Sequence, residues 1–140
     1  YSLSGKDLNR DWEAFEQPET TAVRDLVDRL VNDGKRISLF LDFHSTAQNV
    51  FYVQADDLPT TPHNFTQVWF DQAKKSETYP FRPQATSSGQ PNAKNYIYKR
   101  FGIPAITYEV GDETDRKMIE SSAGVFAAAM IQTYDLINGL

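Results

Sequence analysis

The chain has no cysteine, so disulfides and thiolate metal sites are both excluded, and the redox compartment is left open. It also lacks an apolar run approaching the ~18 residues of a membrane span. Lys and Arg number 14 against 19 Asp and Glu, a net charge of −5, and no basic stripe is present. That balance argues against nucleic acid and against an anionic membrane surface as partners. There is no internal repeat, no low-complexity tract and no glycine-rich phosphate loop. The first residue is Tyr1, with neither a Met nor a charged-then-apolar leader, as expected of the processed or trimmed end of something longer. What is there is 40% hydrophobic and 13% aromatic over 140 residues, the profile of one globular domain with material for a real core.

Residues 1–16 are polar and irregular. Pro18 and Glu19 suit a helix start, and Val23, Leu26, Val27, Leu30 and Val31 have the spacing of a buried stripe, ended by Gly34. Ile37 to Phe43 is short and nearly all apolar, which predicts a strand buried on both faces. Asn49 to Gln54 reads as a second strand. Phe65, Val68, Trp69 and Ala73 mark one face of a helix. Thr78 to Pro91 reads as a long loop of the kind that is often functional. A short helix over Ala93 to Phe101, closed by Gly102, precedes a third strand at Ala105 to Val110. The last helix runs from about Arg116 to Leu136, with Ile119, Ala123, Phe126, Met130, Thr133 and Ile137 inward. Alternating helices and strands predict an α/β fold, a sheet sandwiched between helices.

Three short segments carry chemistry. His44 follows a buried strand, where ligands bind in open α/β sheets, and a neutral imidazole there suits zinc. Asp42, two residues earlier, shares its face and can accept the imidazole N–H. Taken singly, His44 reads more readily as a capping or hydrogen-bonded histidine at a strand end than as a ligand. Glu109 interrupts the apolar run Ile106-Thr107-Tyr108-Glu109-Val110, where a carboxylate is costly unless paired or used. It is either a general base with a pKa raised by burial or a salt-bridge partner of Arg10 or Arg116. Asn9 and Arg10 can grip a carboxylate together if the backbone is irregular, though an isolated Arg10 is an ordinary surface residue. His63, by contrast, reads as solvent-facing.

In this order, Leu8-Asn9-Arg10-Asp11-Trp12, Asp42-Phe43-His44-Ser45-Thr46 and the Glu109 string resemble the C-terminal part of the zinc metallocarboxypeptidases, the carboxypeptidase A-like family. The resemblance spans Leu8 to the final helix. It implies the C-terminal part of an α/β/α sandwich on a mixed sheet, with residues 1–140 as a single portion of a catalytic domain. It further implies that Asn9 and Arg10 bind the substrate's terminal carboxylate, that His44 is a zinc ligand, and that Glu109 is the general base. The substrate would be a peptide, or an acylated amino acid, with a free carboxylate. The family's His-x-x-Glu zinc motif is not in this sequence, so the zinc site is incomplete here. The chain alone is therefore expected to be inactive, to partner the N-terminal part of a parent protein, or to self-associate. The family's loop Tyr has no counterpart in Gln84 to Gly89; Tyr79 and Tyr96 flank the region. Two other readings stand beside this one. One is an amidohydrolase similar to the succinylglutamate desuccinylase and aspartoacylase group. The other is a non-catalytic binding domain that kept the fold.

Overall fold

The computed structural model describes residues 1–86 and 88–139. A 3-10 turn at Leu8–Arg10 leads into helix α1 (Pro18–Asn32). Strands β1 (Phe40–Thr46) and β2 (Val50–Val53), helix α2 (Phe65–Ala73), strand β3 (Arg82–Ala85), helix α3 (Ala93–Phe101), strand β4 (Ala105–Gly111) and helix α4 (Arg116–Asn138) follow. The sheet is mixed, in the order β1-β4-β2-β3: β1 and β4 are parallel, β2 runs antiparallel to β4, and β3 is parallel to β2.

Strand periodicity divides the sheet into two faces. Leu41, Phe51, Ile106 and Tyr108 point to one, where α2 and α4 cover them through Phe65, Trp69, Phe70, Phe126 and Ala129. Phe51 stacks on Tyr108 at 4.1 Å between ring centroids. The buried Trp69 indole donates to Phe126 O at 2.8 Å, which ties α2 to α4. Phe40 and Ala105 point the other way, onto Ile97 of α3 and Ile103. The α/β architecture with a mixed sheet between helices is thus as the sequence predicts. Among the described residues no helix is long and apolar enough to cross a membrane.

Four expectations need correction. Thr78 to Pro91 is not all loop: Arg82-Pro83-Gln84-Ala85 forms β3, an exposed edge strand whose residues show no apolar alternation to announce it. Ser87 of that segment lies outside the described residues. The first strand starts at Phe40 rather than Ile37 and is not buried on both faces; it is the other sheet edge, with Phe43 68% exposed. The α1 stripe is amphipathic but uncovered, with Val23, Leu26, Leu30 and Val31 all exposed and only Thr20 buried. No further element packs over its apolar side among the described residues. On α4 Phe126 and Thr133 are buried and Met130 and Ile137 pack against the core as expected, but Ser122 and Ala129 join the buried line and Ala123 is exposed.

Candidate functional site

Parallel pairing brings β1 and β4 to a common carboxyl end, and in the register His44 faces Glu109. The two side chains therefore share a face on neighbouring strands, roughly 5 Å apart at the backbone. That end is laced shut. Asp112 N donates to Thr46 O at 2.7 Å, and Gly111 N donates to Asn49 Oδ1 at 3.0 Å. A side chain at Gly111 would lie 2.9 Å from Thr114 Oγ1 and 3.4 Å from Asn49 N, so it would force the Thr114 side chain to shift. The Tyr79 hydroxyl is engaged with Thr114 Oγ1 at 3.0 Å, and Tyr96 packs among Trp12 and Phe15.

Asp42 Oδ2 lies 2.9 Å from His44 Nε2. The bond holds the ring by one nitrogen and leaves Nδ1 as the atom for a further partner. That hydrogen bond is the main reason the His44 pKa is raised; burial opposes it, and the charges of Glu109 and Asp7 add to it. For Glu109 the main cause is burial, which raises the carboxyl pKa. Asp42 and Asp112 push the same way, and His44 opposes them. Among the described residues Glu109 makes no salt bridge, neither with Arg10 nor with Arg116.

The Asn9-Arg10 pair sits on the 3-10 turn, capped by Asp7, whose carboxylate accepts from Asn9 N at 2.8 Å. Asn9 Oδ1 accepts from Ala93 N, the first residue of α3, at 3.1 Å, which leaves the amide NH2 as the open donor. Behind the turn Asp11 is 0% exposed. Its carboxylate accepts from Glu16 N at 3.0 Å, Gln17 N at 2.9 Å and the Thr20 hydroxyl, and it pairs with Lys6 Nζ at 3.1 Å. Burial alone would raise the Asp11 pKa; these partners outweigh it and hold the carboxyl well below the usual range. Trp12 N donates to Pro91 O at 3.2 Å, and the Trp12 ring packs against Phe40. The turn is thereby fixed to α1, α3 and β1 together.

A cavity of about 190 Å³ joins these parts, lined by Leu8, Asn9, Trp12, Asp42, His44 and Ala93. Of the residues predicted from sequence, Asn9 and His44 meet there, and Glu109 stands beside His44 in the register. Arg10 does not line it: the guanidinium is exposed and donates to Asn9 O at 2.8 Å. His63 is exposed and lines a different cavity with Asn64 and Gln67. Among the described residues no group of three or more His, Asp or Glu could hold a metal ion. The donor set fits a single corner of a zinc site, one imidazole with a free nitrogen and a carboxylate behind it.

Two buried charged residues join the site from outside the predicted set: Asp11, which shapes the turn, and Lys94, in the first turn of α3. A signal for Lys94 existed: a cation in a helix's first turn opposes the helix dipole.

Residues 2–133 match the sequence model of the family described as zinc carboxypeptidase. None of the curated proteins compared with the chain matches it. Among solved structures, the metallo-carboxypeptidase from Burkholderia cenocepacia superposes with a TM-score of 0.65 at 18% identity, over 97% of this chain and 39% of that one. The metallo-carboxypeptidase from Pseudomonas aeruginosa, in complex with (2-guanidinoethylmercapto)succinic acid, gives 0.61 at 18% identity, over 95% and 40%. At that identity the likeness is one of fold, and this chain spans about two fifths of either structure's length. By the match over residues 2–133, the chain belongs to the zinc carboxypeptidase family.

Proposed function

We propose that residues 1–140 form one portion of a carboxypeptidase catalytic domain, and that the complete protein removes the C-terminal residue from peptides with the help of zinc. The observation that carries this reading is the facing pair His44 and Glu109, with Asp42 holding the far side of the imidazole. His44 would hold the metal through Nδ1, with the remaining ligands supplied from outside these residues. Bound there, zinc would supply Lewis acidity, lowering the pKa of water to about 7 and polarising a carbonyl. Glu109 takes the proton from the attacking water and returns it to the leaving amine. Burial raises its pKa toward the range where a base is most effective. Asn9 and Arg10 hold the terminal carboxylate, so that the last peptide bond lies over His44 and Glu109. The exposed edge at β1 and the uncovered side of α1 support the view that the sheet continues into the rest of a longer domain.

The Pseudomonas structure is held with a compound that ends in succinic acid, in keeping with a ligand recognised through carboxylates. The test is product release by the complete protein loaded with zinc. Peptides with a free C-terminus should lose their last residue, and the same peptides with an amidated C-terminus should be far poorer substrates. Release of acyl groups from N-acyl amino acids in place of peptide cleavage would favour the amidohydrolase reading instead.

A further inference from the structure

Arg82, at the start of β3, is the one Lys or Arg in the four strands. Phe81, the residue before it, packs on Phe51, Phe70 and Phe126, on the face that α2 and α4 cover. Alternation along the strand turns Arg82 to the opposite face. The register agrees: His44 pairs with Glu109, Glu109 with Val50, and Val50 with Arg82. Directly paired residues share a face, so these four form one row across the whole sheet. Within that row Val50 is buried and Arg82 is exposed. Among the described residues no carboxylate lies within ion-pair distance of Arg82.

Arg82 also lines a cavity of about 360 Å³ with Ala47, Gln48, Asn49 and Tyr79, and no other charged residue lines it among the described residues. Ala47 follows β1 directly, and the Asn49 side chain accepts from Gly111 N at the end of β4. The cavity therefore lies at the same end of the sheet as His44 and Glu109. It lies on the other side of Glu109 from Asn9, which shares its cavity with His44 on the edge strand β1, whereas Arg82 is on the opposite edge strand. With strands about 4.8 Å apart, the Arg82 backbone is roughly 10 Å from that of Glu109, the span of about three residues of extended peptide.

We propose that the cavity at Arg82 is a subsite for the substrate upstream of the cleaved bond, and that Arg82 favours an acidic side chain there, two or three residues before that bond. The inference rests on the carboxypeptidase reading given above. A peptide with its terminal carboxylate at Asn9 and its last bond over His44 and Glu109 extends along the row toward β3. An upstream Glu or Asp meets a planar guanidinium that holds no carboxylate of its own, and an upstream Lys meets a like charge. Both partners stay in contact with water, so the preference is that of an exposed ion pair, about 5-fold.

The test uses the complete, zinc-loaded protein and two sets of five-residue peptides. Each set is identical except for Glu, Gln or Lys, at the second residue before the bond in one set and at the third in the other. In at least one set kcat/KM for the Glu peptide should exceed that for the Lys peptide by about 5-fold, chiefly through KM, and high salt should shrink the ratio. Arg82→Gln should bring the ratio to about 1, and Arg82→Glu should invert it in favour of Lys. Calorimetry on the zinc-loaded Glu109→Gln protein gives a readout separate from turnover, in which the Glu peptide should bind more tightly than the Lys peptide. A wild-type ratio near 1 in both sets, or a wild-type ratio retained in Arg82→Glu, overturns the role of Arg82. Arg82 is then a charge that blunts the sheet edge, and the carboxypeptidase reading stands. Failure to release any terminal residue overturns both.

Discussion

The Asp42 carboxylate binds His44 through Nε2 at 2.9 Å, and this one contact decides which ring nitrogen remains for a metal. It is also the main reason the pKa of the ring is raised. With the folded pKa raised, the Asp42–His44 pair contributes stability that is fully present below the unfolded value of 6.5 and is lost as pH rises through the folded value. In the metal-free chain, an NMR titration should place His44 above 6.5, and Asp42→Asn should lower it toward that value, because burial is then opposed only by the charges of Glu109 and Asp7. In the complete protein the same variant should weaken zinc binding by roughly 10- to 100-fold. An unchanged His44 titration would show that Asp42 does not control the ring.

Arg10 is exposed and its guanidinium is turned back onto Asn9 O, a bond that an arriving carboxylate can replace. Arg10→Ala in the complete protein should lower kcat/KM by about 100-fold on peptides with a free C-terminus, chiefly through KM, since the group binds ground and transition states alike. Amidated peptides should be little affected. Steady-state kinetics on the two peptide types separates these outcomes, and equal loss on both would remove Arg10 from carboxylate recognition.

Asp11 supports the Leu8–Arg10 turn from behind. Asp11→Ala leaves two backbone N–H groups, the Thr20 hydroxyl and the Lys6 ammonium without their acceptor, so thermal unfolding should shift down by roughly 5–10 °C. Because the folded pKa is lowered, the contribution is present above the unfolded value of 3.8 and is lost as pH falls toward the folded one. Asp11→Asn should therefore flatten the acid limb of stability against pH. An unshifted melting temperature for Asp11→Ala would mean that the turn is held by Trp12 and Asn9 alone.

Local signals were legible wherever the residues themselves fix the backbone. Helix α3 runs from Ala93 to Phe101 as read, because Asn92 caps its start and Gly102, with φ 63°, closes its end. The Asp42–His44 contact follows from the two-residue period of a strand. What was not legible depends on which surfaces meet. The α1 stripe has helical spacing, but spacing cannot say whether a partner covers it. Strand β3 carries Arg82, Pro83 and Gln84, and owes its existence to pairing with β2 rather than to its own pattern. The place of Lys94 in the first turn of α3 marked it as unusual, but its burial is created by Val53 and Thr86, distant in sequence from one another. Nor could the order β1-β4-β2-β3 be read, although it is the order that places His44 beside Glu109.

That pairing gives the account its most direct test. Glu109→Gln removes the proposed proton acceptor and leaves His44, Asp42, Asn9 and Arg10 in place. In the complete protein, zinc content and turnover of a C-terminal peptide should be measured on the same sample. Zinc content should be nearly unchanged and kcat reduced by about 1,000-fold or more. Turnover close to wild type in a fully zinc-loaded Glu109→Gln protein would contradict it.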